Sequence, residues 1–190
     1  MPFLLLMLVI FSPQYGAGED LSQEQLEREI RLLESSLEQQ REKNAYIVID
    51  TQHNSLTIFK DNQILHQAIC STGSGKVLRH PSKQDEWQFT TPVGLWHVQR
   101  KVTDPIWAKP VWAFVETGDP IPVLPWAFHR LDQTTLGAYA LELGDGYEIH
   151  GTLYPALLGR HITHGCIRLN EDDLALTYEI IEAGSRVYIY

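Results

Sequence analysis

The sequence predicts a mainly β fold with some α-helix, preceded by a separate N-terminal helix, and three observations carry that reading. Residues 19–43 contain no Gly or Pro and place Leu26, Ile30, Leu33 and Leu37 at alternating spacings of four and three. From Ala45 onward the apolar period drops to two, the spacing of a half-buried strand. The alternating runs are also punctuated by His53-Asn54 and Asp61-Asn62, residue types that tolerate the left-handed backbone of tight turns.

Taken in order, Phe3 to Phe11 is an unbroken apolar run too short to span a bilayer, followed by the small residues Gly16, Ala17 and Gly18. Residues 1–18 therefore read as a signal peptide. The expected location is outside the cytoplasm, in a periplasm or cell envelope, with membrane anchoring as the alternative if that segment is retained. Residues 19–44 form a helical, coiled-coil-like segment whose seam covers about two heptads. It suits a partner helix, self-association or a solvated spacer.

Residues 45–190 are expected to form the catalytic domain. Tyr46–Asp50, Ser55–Lys60 and Ile64–Cys70 open it as a meander, and Val93–Arg100, Ala138–Gly144, Tyr147–Gly151 and Arg186–Tyr190 are further strands. Between them, Asp104 to Gln133 lacks periodicity and holds Pro105, Trp107, Pro110, Trp112, Pro120, Pro122, Pro125 and Trp126. That composition predicts a long ordered loop, whose tryptophans cover a satellite core or, as a group, wall a substrate groove. Asn170 or Glu171 caps a second helix, with Asp172 and Asp173 at its positive end and Gly184 stopping it.

Composition limits the functions available. The 190-residue chain allows one well-buried domain plus an appendage. A formal charge of −9, with no cluster of Lys and Arg, argues against a nucleic-acid partner. Two cysteines in an exported chain invite a disulfide, but the surroundings of Cys166 are those of a reactive thiol, and Cys70 ends an alternating strand as a core residue would.

The chemistry concentrates in His150-Gly151-Thr152 and Thr163-His164-Gly165-Cys166-Ile167-Arg168-Leu169. A thiol attacks carbonyls as thiolate, so a nucleophilic cysteine needs an imidazole, a cation or a helix N-terminus nearby. His150, Arg168 and the following helix supply candidates for all three. Gly165 lets backbone amides turn toward a developing oxyanion, which makes the His164, Gly165 and Cys166 amides the candidate donors. No Asp or Asn is placed to orient the imidazole, so a backbone carbonyl is the candidate for that role. Zinc ligation by His150, His161, His164 and Cys166 fits no metal spacing, and no cofactor is expected.

Read from His150 to Leu169, the pattern HGT-x-x-P-x-x-L-G-x-x-x-T-H-G-C-I-R-L resembles the active-site signature of the YkuD-type L,D-transpeptidase catalytic domain. The similarity extends to the opening meander, to Ser71-Thr72-Gly73 and to Thr91-Pro92-Val93-Gly94. It implies a β-sandwich-like fold acting on peptidoglycan stem peptides that end in D-alanine. It further implies Cys166 as the acylated nucleophile, His150 as general base, and Gly151 main chain orienting the imidazole. Thr163, His164, Gly165 and Arg168 then line the oxyanion and substrate positions. Glu171 stands where many relatives carry Asn.

Three activities remain open on these residues. Transfer of the acyl group to an amine and its hydrolysis by an L,D-carboxypeptidase or endopeptidase share the first half-reaction. A non-enzymatic cell-wall-binding module is the third.

Overall fold

The structure is a computed structural model that describes residues 23–40, 44–124 and 126–190; the expected signal segment and Pro125 lie outside them. The chain divides into two units, one ending at Arg41 and the other running from Glu42 to Tyr190. In the first, α1 (Gln23–Gln40) carries Leu26, Ile30 and Leu33 with 45–59% of their surface exposed. The side chain of Leu37, the fourth seam residue, lies outside the described set. Among the described residues no helix is long and apolar enough to cross a membrane.

The second unit begins with the expected meander: β1 (Tyr46–Asp50), β2 (Ser55–Lys60) and β3 (Gln63–Ile69). Asn54, Asp61 and Asn62 hold φ between 51° and 61° in its turns, a region that Asn and Asp tolerate better than other side chains. Short strands follow: β4 (Thr72–Gly73), β5 (Val77–Arg79), β6 (Glu86–Gln88), β7 (Gly94–His97) and β8 (Arg100–Thr103).

The Pro/Trp-rich stretch, expected as a loop, contains β9 (Trp107–Ala108), the helix α2 (Val111–Thr117) and β10 (Leu131–Asp132). Pro110 precedes the helix, where its missing N–H costs nothing, and Gly118 ends it at φ 75°. Pairing of β9 with β10 closes the stretch on itself, an organisation too short in sequence to leave a period.

The remainder comprises β11 (Tyr139–Gly144), β12 (Tyr147–His150), β13 (His161–Thr163), β14 (Ile167–Arg168), α3 (Glu171–Ile180) and β15 (Arg186–Ile189). Asn170 caps α3 by accepting the Asp173 N–H at 2.8 Å. The helix ends at Ile180, and Gly184 sits in the following turn at φ 91°.

Two sheets organise the unit, a five-stranded one ordered β3-β2-β1-β15-β7 and a four-stranded one ordered β14-β12-β11-β8. Ile47, Ile49, Leu56, Ile58, Val187 and Ile189 from the first join Leu141, Leu143, Ile149 and Ile167 from the second in one buried cluster. Each such side chain, fully removed from water, stabilises the fold by roughly 2 kcal/mol. α3 adds Leu174 to this core and stacks Tyr178 on Tyr139 of the interior strand β11.

Candidate active site

The site is built on β12 and β14, which run parallel with Ile149 opposite Ile167 and His150 opposite Arg168. Side chains alternate across a sheet, so burying the two isoleucines in the core turns His150 and Arg168 to the other face. Glu148 and Cys166, two residues before each, share that face. All four line one cavity of about 740 Å³.

Hydrogen bonds fix the loop carrying the thiol. Thr163 Oγ1 donates to the Cys166 carbonyl at 2.6 Å and accepts the Gly165 N–H at 3.1 Å. That engages the Gly165 amide within the loop. Gly165 has φ 127°, and a Cβ there would come within 2.7 Å of the Tyr147 ring. Thr91 Oγ1 donates to the Gly165 carbonyl at 2.9 Å and accepts the Gly73 N–H at 2.8 Å. The Ser-Thr-Gly and Thr-Pro-x-Gly motifs are therefore braces for the cysteine loop. Cys166 does not head α3, because β14 intervenes.

At rest the Cys166 thiol donates to the Gly146 carbonyl, with Sγ 3.6 Å from the oxygen. Burial, reinforced by the Glu148 charge and opposed by Arg168, pushes the thiol up to about 11. His150 is only 3% exposed. Burial first, then the Arg168 charge, depresses its imidazole to about 3, with the Gly151 carbonyl partly offsetting them. Its Nδ1 is buried without a partner of hydrogen-bonding geometry. Thiol and imidazole are thus both neutral near pH 7, a pair suited to proton transfer during attack rather than a standing ion pair.

Gly151, next to the imidazole in the chain, is itself closely packed. Its N–H donates to the Leu136 carbonyl at 2.7 Å, and a Cβ would meet Glu171 Oε2 at 2.8 Å. Glu171 also accepts the Ala138 N–H at 2.8 Å, so it ties the strand entering β11 to the segment leaving β12.

Arg168 is half-buried, and desolvation lowers its pKa. Among the described residues no carboxylate lies within ion-pair distance of its guanidinium. Asp173, a sequence-proximal candidate, is bound by His66 at 2.8 Å and by Asn170.

The Pro/Trp-rich stretch forms one wall of the cavity through Trp107, Pro110 and Trp112. Trp112 stacks on the His164 ring at 4.2 Å, Phe89 meets it edge-on at 4.4 Å, and Glu116 of α2 pairs with its Nε2 at 2.8 Å. The His164 ring is a clasp between the cysteine loop and this wall. Trp126, by contrast, is 73% exposed and lies outside the cavity lining.

A family model for the YkuD L,D-transpeptidase catalytic domain matches residues 44–189. The chain belongs to this family. A probable L,D-transpeptidase of Escherichia coli strain K12, YbiS, is 30% identical over 146 residues, which are 74% of this chain and 46% of the relative. The chain thus spans about half the length of that relative. A putative L,D-transpeptidase of Bacillus subtilis strain 168, YqjB, is 26% identical over 144 residues, 76% of this chain and 70% of its own.

Solved structures share the fold. An L,D-transpeptidase from Mycobacterium smegmatis superposes with a TM-score of 0.56 at 20% identity, covering 77% of this chain and 58% of the other. The catalytic domain of the Enterococcus faecium enzyme gives 0.54 at 17% identity, covering 79% and 99%. A third L,D-transpeptidase, LdtMt1, solved in complex with imipenem, gives 0.55 at 19% identity, covering 77% and 58%.

Two residues of the site escape motif reading: Glu116 is distant from the cysteine in sequence and Glu148 sits inside a strand pattern, whereas Trp112 belongs to the tryptophan group expected to wall a groove. The alternation of Glu148 with buried Ile149 was the one available clue, since it assigns Glu148 to the face of His150.

Proposed function

We propose that the chain is a peptidoglycan L,D-transpeptidase working through a thioester on Cys166. The observation that carries this reading is the convergence of Cys166, His150 and an unpaired Arg168 on one sheet face within a tryptophan-walled cavity. His150 takes the thiol proton as Sγ attacks the L-centre carbonyl of the third stem residue, and D-alanine leaves with that proton. An amine of a second stem peptide then takes the acyl group. The Cys166 and His164 amides face the oxyanion role, the Gly165 amide being held by Thr163. Arg168 binds a substrate carboxylate, which its freedom from protein partners supports.

Around this centre, residues 1–18 act as an export signal, residues 19–44 as a spacer that recruits a partner helix or a second copy, and residues 45–190 as the catalytic domain. The exposed seam of Leu26, Ile30 and Leu33 supports the middle assignment.

Incubation of the protein with tetrapeptide-stem muropeptides tests the proposal. Cross-linked dimers and free D-alanine are expected, and both disappear in Cys166→Ala. D-alanine with shortened monomers alone, even at high acceptor concentration, would make the enzyme a hydrolase. A Cys166 inert toward both muropeptides and imipenem would leave a binding module.

A further inference from the structure

We propose that Glu148 is the residue that receives the acyl acceptor, binding the ammonium of an incoming primary amine beside Cys166 and taking its proton. The assignment rests on the transpeptidase reading above and names a group within that same site.

Glu148 belongs to a row that the sheet register defines. Continuing the parallel β12–β14 register back by two residues puts Glu148 opposite Cys166, and the β11–β12 register pairs Glu148 with Glu142. Next in the row, Glu142 stands opposite Arg100 of β8. Arg100 is fully engaged by Glu142, through two hydrogen bonds of 2.6 and 2.9 Å. Glu148 receives no such partner: among the described residues nothing hydrogen-bonds or ion-pairs with its carboxylate.

An unpaired, partly buried carboxylate is costly, and this one carries two further penalties. Burial and the neighbouring Glu142 charge raise its own pKa, with Arg100 partly offsetting them, and its charge in turn disfavours the Cys166 thiolate. A group that hinders the first half-reaction is best explained by the second. Once Cys166 is acylated no thiolate remains to repel, and the cavity offers an anion next to the thioester carbon.

An ammonium drawn there relieves the carboxylate and places its nitrogen near the carbon it must attack. Its proton passes to Glu148, whose raised pKa suits it to hold one. The freed lone pair forms the C–N bond, the C–S bond breaks, and the sulfur leaves with the electron pair. His150 takes the second amine proton and returns it to the thiolate, while Glu148 releases the first to solvent. The net change is ammonium plus thioester to amide, thiol and one proton. Water, uncharged, is not drawn to the carboxylate as an ammonium is, so the residue favours transfer over hydrolysis.

The test compares the wild-type protein with Glu148→Gln on a tetrapeptide-stem muropeptide that serves as donor and acceptor. The ratio of cross-linked dimer to hydrolysed monomer is expected to fall about tenfold or more in the variant. Hydroxylamine, an amine uncharged at neutral pH, should still be converted to the hydroxamate. Alkylation of Cys166 by iodoacetamide should become faster, because a neighbouring negative charge has been removed. A structural defect would slow hydroxamate formation along with dimer formation. An unchanged dimer-to-monomer ratio overturns the assignment, as does parallel loss of dimer and hydroxamate. A wild-type acyl-enzyme that passes its acyl group only to water also overturns it, while leaving Cys166 chemistry intact. Absence of any Cys166 acylation in the wild type defeats the transpeptidase reading itself, and this assignment with it.

Discussion

The two faces of the four-stranded sheet differ in kind, although the same strands make both. One face packs Leu141, Ile149 and Ile167 at zero exposure into the common core. The other, one residue out of phase, presents Cys166, Glu148, His150 and Arg168 to a cavity. On the first face every side chain gains from leaving water. On the second, each titratable group is shifted by burial in the direction that opposes its charge. The core face supplies the stability that holds four unfavourable groups together.

The two cysteines sharpen the contrast. Cys70 is fully buried and its thiol is pushed up to about 12 by burial, close to the value reached by Cys166. What separates them is the setting, since only Cys166 lines a cavity with an imidazole and a guanidinium. The largest expected effect follows: Cys166→Ala abolishes muropeptide turnover, by about a thousandfold or more, whereas Cys70→Ala keeps turnover and lowers stability. Assays of both variants alongside urea melts check this, and an inactive but stable Cys70→Ala would break the comparison.

His150→Ala comes next. Loss of the base is expected to cost about a hundredfold or more in acylation, read as the rate of imipenem adduct formation by mass spectrometry. Little effect would mean that the thiol is activated from elsewhere on the face.

On the core side, Ile167→Ala removes a fully buried side chain directly opposite Ile149 and should cost about 2–5 kcal/mol of stability by urea unfolding. Turnover at low temperature, where the variant remains folded, should fall far less than in His150→Ala. Comparable losses would show that the faces are not separable.

The smallest effect is a pH dependence. The folded imidazole of His150 is depressed to about 3 from a usual 6.5, so the unfolded chain binds a proton that the native state refuses. The stabilising contribution is full above pH 6.5 and is lost as pH falls toward 3, with a slope of about 1.4 kcal/mol per pH unit. Urea melts of His150→Gln, which cannot titrate, should show a shallower loss between pH 6 and pH 4.

Much of the architecture was legible before the structure. Period-two runs placed seven strands in the second unit, six of them within a residue of their observed ends, whereas Val93–Arg100 overruns β7 by three residues to the start of β8. Asn54, Asp61 and Asn62 marked turns because their side chains tolerate positive φ, and Asn170 marked a cap because its oxygen reaches the Asp173 amide. The Pro/Trp-rich stretch, expected as a long ordered loop, holds two-residue strands and a seven-residue helix that are too short to show a period. The expectation that the following helix acts on Cys166 meets a related difficulty, because β14, only Ile167 and Arg168, separates the two.

By itself the sequence determined the local alternatives: which runs are strands, where the chain must turn, and that Cys166, His150 and Arg168 belong to one family signature. Tertiary structure alone decided which groups share a row with the thiol. Register between β12 and β14 is set by long-range packing of Ile149 on Ile167, and a one-residue slip would turn Glu148 and His150 into the core. The wall that Trp112 and Glu116 build against His164 is likewise non-local, closed across about fifty residues by pairing that neither segment encodes alone.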